Sequence, residues 1–311
     1  MSEKRATREA YGETLIELGR VHPNIVVLDA DLAKSTTTIK FKKEFPDRFF
    51  DCGVAEQNMM AMAAGLATTG KICFTGSFAM FATGRAFEQV RNTIAYPSLN
   101  VKICPTHAGI TVGADGGSHQ TIEDIALMRV IPGMTVIVPA DYYEAKKAIA
   151  KAAEIDGPVY VRLGRAMPPM IFDGDYDFVP GKAVLLKEGT DVTIFATGIM
   201  VGSSLVAAEN LAKAGISAEV INISTIKPLD DNAIIESAVK TGRVVVAEEH
   251  SIIGGLGSAV AELLCEKHPV LVARVGIKDV FGRSGEPDEL LKYYGLTDED
   301  ISQAAKGLLG E

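Results

Sequence analysis

At 311 residues the chain is long for a single core, so two domains are expected. Its net charge of −9, with 47% hydrophobic residues and no basic stripe, excludes nucleic acid or an anionic membrane as partner, since both are bound by basic surfaces. The opening Met-Ser-Glu-Lys-Arg-Ala-Thr-Arg-Glu has no apolar stretch, and no apolar run elsewhere approaches bilayer-spanning length, so a cytoplasmic address is expected.

In chain order, short β-rich runs alternate with helical stretches, the pattern of a parallel sheet with helices on both faces. Strands are predicted at Ile25–Leu28, Arg48–Asp51, Ile72–Thr75, Val101–Cys104, Thr135–Pro139 and Val159–Leu163. Helices are predicted between them at Ala6–Leu18, Ala55–Thr68, Phe81–Ala95, Ile122–Arg129 and Tyr142–Ala153. Together they make a six-stranded, doubly wound α/β domain over residues 1–170. A turn-rich stretch with Asp-Gly-Asp-Tyr-Asp and Pro180-Gly181 follows and is read as a linker, residues 171–188. The alternation restarts with strands at Val192–Ala196, Ala218–Ile223, Val244–Ala247 and Val270–Val275. Helices are predicted near Ser203–Ala214, Asp231–Thr241, Ser258–Lys267 and Asp288–Tyr294. This is a second, smaller doubly wound α/β domain with a mixed sheet, over 189–311. Cys52, Cys73, Cys104 and Cys265 show no paired metal-ligand spacing and are read as reduced core residues.

In such folds function gathers at the carboxyl ends of strands. Asp29-Ala30-Asp31-Leu32-Ala33-Lys34-Ser35 follows the first strand, Asp51-Cys52-Gly53-Val54-Ala55-Glu56 the second, and Gly76-Ser77-Phe78-Ala79-Met80-Phe81 the third. Thr106-His107-Ala108-Gly109 through Asp115-Gly116-Gly117-Ser118-His119-Gln120 follows the fourth. Glu56 heads an otherwise Met/Ala-rich helix, where a carboxylate is costly unless something pairs with it. Read locally, Gly53 serves as N-cap and Glu56, at the third helical position, suits the helix dipole. Asp31 and Ser35 equally fit a helix cap, Phe78 and Phe81 a core pair, and His107 and His119 structural loop hydrogen bonds. Gly65-Leu-Ala-Thr-Thr-Gly70-Lys71 imitates a phosphate loop, but Ile72 stands where a hydroxyl is needed and the glycines end a helix.

Taken together, the Glu56 segment, Gly76–Phe81 with Arg85-Ala86-Phe87-Glu88-Gln89-Val90-Arg91-Asn92, and the Thr106–Gln120 loop resemble the thiamine-diphosphate enzymes of the transketolase type, in the family's order. The resemblance runs from about Ala6 to the C-terminus and covers the second half of a full-length transketolase, its pyrimidine-binding and C-terminal domains. It implies thiamine diphosphate as cofactor, with Glu56 bonding the pyrimidine ring, Phe78 and Phe81 lining it, and Asp31 as a nearby acid. The family's next aromatic position falls here at Gly84. The resemblance further implies that His107 and His119 meet sugar oxygens near the scissile bond and that Asp115 accepts from a substrate hydroxyl. Arg8, Ser35 and Arg165 match positions that grip a sugar phosphate, a task suited to guanidinium groups.

The family holds the diphosphate through a divalent cation, Mg or Ca, bound by a Gly-Asp-Gly segment and a later Asn, and no such pair occurs here. No metal site is therefore assigned to this chain. The expected activity is ketol transfer between a ketose phosphate and an aldose phosphate, shared with an N-terminal diphosphate-binding subunit in a heterotetramer. The beta subunit of a 2-oxo-acid dehydrogenase and a catalytically silent scaffold subunit are the alternatives.

Overall fold

The computed structural model describes residues 4–310. The first six strands are β1 (Ile25–Asp29), β2 (Phe49–Asp51), β3 (Ile72–Gly76), β4 (Val101–Ile103), β5 (Thr135–Ile137) and β6 (Val159–Val161). The remaining six are β7 (Val184–Lys187), β8 (Val192–Ala196), β9 (Ala218–Asn222), β10 (Thr225–Lys227), β11 (Arg243–Ser251) and β12 (Leu271–Ile277). The first sheet has seven strands, in the order β10-β5-β6-β4-β3-β1-β2, where six were expected. The additional strand, β10, runs antiparallel to β5, with Thr225 opposite Ile137. Only three residues long, it has no periodicity of its own and pairs only because the second domain docks on that edge. The second sheet is mixed and five-stranded, β12-β11-β8-β9-β7. Its antiparallel edge strand β7 lies within the stretch read as linker and pairs with β9.

The helices are α1 (Thr7–Val21), α2 (Ala33–Thr36), α3 (Ile39–Glu44), α4 (Glu56–Ala67), α5 (Asp124–Arg129) and α6 (Tyr142–Glu154), then α7 (Met200–Lys213), α8 (Asp231–Thr241), α9 (Leu256–Lys267), α10 (Pro287–Tyr293) and α11 (Asp298–Leu309). All five residues of β1 are buried, as are those of β8, which is what strands covered on both faces require. Ala10, Tyr11 and Leu15 of α1 pack with Ala145, Ala148 and Ile149 of α6 on one face of the first sheet. The other face is covered by Met59, Met60 and Ala63 of α4 and Ile125 and Met128 of α5, and this core runs on without a break to Ile221, Val244 and Val246 of the second sheet. The outer face of the second sheet packs on α7 and α11.

Three local expectations change. The helix predicted over Phe81–Ala95 is two π-helical segments, Met80–Arg85 and Gln89–Ala95. The Thr83 hydroxyl takes the Ala79 carbonyl, a side-chain competitor to the α-helical bond. Helix α4 begins at Glu56 itself, with Ala55 and not Gly53 in the cap position. Of the four cysteines, Cys73 and Cys104 are buried, Cys52 is half-buried and Cys265 is exposed, so the last is no core residue; all four are free. Among the described residues, no helix is long and apolar enough to cross a membrane.

Candidate active site

Glu56 is a buried carboxyl, 1% exposed, because α4 starts on it and carries it under β3. Two donors meet it. Ser77 Oγ donates to Oε1 at 3.1 Å, and Arg85 Nη1 donates to Oε2 at 2.8 Å. The Arg85 guanidinium also lies 4.6 Å from the Phe81 ring centre, beside the Gly84 position that lacks an aromatic side chain. Both partners sit in segments noted in the sequence, yet their contact with Glu56 depends on β3 placing its exit loop over the head of α4.

The rings form a second group. Phe78 and Phe81 lie 6.3 Å apart and nearly parallel, at 18°. His107 stacks on Phe78 at 3.9 Å, and His119 presents its edge to Phe81 at 5.3 Å. Burial pushes His107 down to about 3, helped by the positive Arg8 and Arg165 and by His119, so it is neutral near pH 7. Its Nε2 is 3.3 Å from Arg8 Nη1, and its Nδ1 is 2.7 Å from Thr106 Oγ1. Guanidinium can only donate, so Nε2 is the acceptor and the neutral ring carries its proton on Nδ1, toward Thr106. The His107 backbone is left-handed, φ 60°, a strained setting for a side chain that its packing must hold.

Arg8 donates to the Ser35 carbonyl at 3.3 Å, so Ser35 joins the group through its backbone. Burial lowers the proton affinity of Arg8, and nearby Arg165 adds to this, so two positive groups converge at this corner. Arg165 Nη1 donates to the Val112 carbonyl at 2.7 Å and stands 3.6 Å from Asp115 Oδ1. The structure thus draws Arg8, Ser35, Phe78, Phe81, His107, Asp115, His119 and Arg165 around one rim. Asp31 stands apart from the rings. Exposed, with φ 61°, it donates its N–H to Asp51 Oδ1, which also accepts from Gly53 N–H in the turn leading to Glu56.

Sequence reasoning passed over Asp29. Buried at the end of β1, it accepts from the hydroxyls of Thr36 at 2.7 Å and Thr38 at 2.8 Å and from Leu32 N–H at 2.7 Å, latching the loop that bears Asp31 and Ser35. Burial pushes its carboxyl up to about 6 against these donors. A Cβ at Gly76 would stand 2.6 Å from Asp29 Oδ2, so β3 must carry glycine there. Among the described residues no cluster of three or more His, Cys, Asp or Glu side chains is placed to hold a metal ion. A cavity of about 700 Å³ lies elsewhere, between α5, β10, α8 and α9.

Comparison with known proteins gives this rim its context. Residues 3–169 match the transketolase pyrimidine-binding domain and residues 181–301 the transketolase C-terminal domain. The chain is 57% identical over 302 residues to the putative transketolase C-terminal section of Methanocaldococcus jannaschii, covering 96% of this chain and 95% of that protein. Mouse transketolase is 41% identical over 99% of this chain, which spans 50% of the mouse protein. A solved structure described as a split gene transketolase, inactive beta4 tetramer, superposes with a TM-score of 0.92 at 57% identity, covering 98% of each chain. This chain belongs to the transketolase family, of which it carries the pyrimidine-binding and C-terminal domains.

Proposed function

We propose that the chain is one subunit of a two-chain transketolase, transferring a two-carbon ketol unit from a ketose phosphate to an aldose phosphate. Thiamine diphosphate and its Mg or Ca ion would be held jointly with an N-terminal, diphosphate-binding subunit. The observation that carries the reading is Glu56, buried and held by Ser77 and Arg85 beside the near-parallel Phe78 and Phe81. A flat aminopyrimidine fits this setting, with a carboxyl for its ring nitrogen and apolar rings for its face. The relative described as an inactive beta4 tetramer supports the view that this half does not act alone.

When bound, thiamine diphosphate supplies the electron sink for breaking and remaking a carbon–carbon bond beside a ketone. This chain's residues do the rest at its end of the site. Glu56 orients the ring and shares a proton with its nitrogen. Phe78 and Phe81 keep water from that face. His119 and Asp115 meet sugar hydroxyls, and neutral His107 is fixed in one tautomer by Arg8 and Thr106. Arg8 and Arg165, two converging positive charges, are matched by a phosphate.

The test is reconstitution. The purified chain is expected to bind thiamine diphosphate very weakly and to transfer no ketol units, and a subunit bearing Gly-Asp-Gly and a downstream Asn is expected to restore both. Robust turnover by this chain alone, with no second protein detectable by mass spectrometry, would refute the two-chain reading.

A further inference from the structure

Between Gly109 and Ile122 the chain leaves the first sheet, carries Asp115 and His119 to the site and returns. Gly109, Gly113 and Gly116 are all left-handed, at φ 80°, 84° and 78°. Many of its anchors belong to the second domain. Thr111 N–H donates to Glu249 Oε1 at 2.7 Å, and Ser251 N–H donates to the Ile122 carbonyl at 2.7 Å, so β11 holds both ends. A Cβ at Gly109 would stand 2.2 Å from the Glu249 carboxyl carbon, at Gly116 2.6 Å from Ser284 Oγ, and at Gly117 2.5 Å from the Gly282 carbonyl oxygen. The loop is therefore seated against β11 and the 279–285 segment as closely as backbone allows.

Gln120, the residue after His119, joins these pieces. It is 3% exposed, and its Nε2 lies 3.1 Å from the Ile110 carbonyl, 3.1 Å from the Gly113 carbonyl and 2.9 Å from the Arg283 carbonyl of the second domain. An amide nitrogen has two N–H groups, so three facing carbonyls fix its orientation and leave no room for an acceptor there. Its Oε1 lies 2.0 Å from where a Gly282 Cβ would be, so only glycine at 282 lets the amide reach Arg283.

We propose that Gln120 is a positioning residue through which the second domain sets where His119 and Asp115 stand. The inference rests on the transketolase reading, because it is a sugar that those two side chains would meet. It gives the second domain a part in the reaction although none of its side chains lies on the rim described above.

Two variants test it. Gln120→Met keeps the side-chain length and removes both donors. Gly282→Ala changes no residue of the first domain and drives a methyl group against Gln120 Oε1. In the isolated chain, amide hydrogen exchange over 110–120 is expected to quicken about tenfold or more in both variants, while peptides from α1 and α6 keep their wild-type rates. In the reconstituted complex, KM for the ketose is expected to rise roughly tenfold, since small misplacements of substrate-facing groups are costly. Loss of folded enzyme would instead lower kcat and leave KM alone. Unchanged exchange in both variants, or faster exchange with an unchanged KM, would overturn the proposal. A wild-type complex with no ketol transfer would defeat the functional reading, and the exchange rates would still decide whether Gln120 anchors the loop.

Discussion

Glu56→Gln is the sharpest change at the scale of one residue. The side chains are nearly the same size, and Ser77 Oγ can either donate or accept, so folding and assembly should survive. The reconstituted variant is expected to lose about a hundredfold or more in rate, the scale of a lost acid/base group. Wild-type turnover would reduce Glu56 to a helix-start residue. Arg165 poses the substrate question. A charge-assisted bond to phosphate is worth about 1.5 to 3 kcal/mol, or roughly ten- to a hundredfold in affinity. Arg165→Ala should therefore weaken a phosphorylated ketose or aldose by that factor and an unphosphorylated donor hardly at all, as steady-state constants for both kinds would show. Equal losses would mean that Arg165 acts through the Val112 carbonyl and the neighbouring Asp115. These residue types were legible in the sequence, because each strand end delivered a polar or aromatic group. The Arg85 contact and the tautomer of His107 were not, because both depend on neighbours from other loops.

At the scale of elements, α5, β6 and β11 are tied by one buried polar group. Arg162 of the segment leaving β6 donates to both Asp124 carboxyl oxygens, at 2.7 and 3.1 Å, and to the Glu249 carbonyl at 3.0 Å, while Tyr160 donates to Asp124 at 2.6 Å. Removing one member of a buried pair leaves its partner uncompensated, so Asp124→Ala should cost about 3 to 5 kcal/mol in urea unfolding. A change within ~1 kcal/mol would mean that water or Glu249 takes over the guanidinium. The same element pattern explains which predictions held. The strands β1 to β6 were readable as apolar runs because parallel strands are buried on both faces. Strand β10 and the paired π-helical segments were not, since a three-residue edge strand and a side-chain competitor at Thr83 leave no periodic signal.

At the scale of the whole molecule, Asp141 and Glu144 at the start of α6 pin the passage between domains. Asp141 Oδ2 accepts from Ile171 and Phe172 N–H at 2.6 and 2.7 Å, and Glu144 Oε1 accepts from Asn222 Nδ2 at 2.8 Å and Tyr176 hydroxyl at 3.2 Å. Burial pushes Glu144 up to about 7 against those donors, from an ordinary 4.5. The folded chain thus keeps a proton that the unfolded chain releases. The stability this group lends is present below about pH 4.5 and is lost as pH rises toward 7. Asp29 contributes with the same sign up to about pH 6. His107, pushed down to about 3 from an ordinary 6.5, contributes with the opposite sign below about pH 6.5. Urea midpoints should therefore fall most clearly between about pH 6.5 and 7.5, and Glu144→Gln should flatten that fall; an identical slope in the variant would assign it to other groups.

By itself the sequence determined the strand and helix alternation, the two-domain division of labour between sheets, and the residues that strand ends send to one rim. It could do so because burial on both faces, turn chemistry and loop position are local properties written in residue order. The seventh strand, the capture of His107 between Arg8 and Thr106, and the seating of the Gly109–Ile122 loop on β11 and the 279–285 segment were decided only in the tertiary structure. Each joins groups far apart along the chain or fixes a strained backbone by packing around it, and no local pattern records which distant surface will arrive.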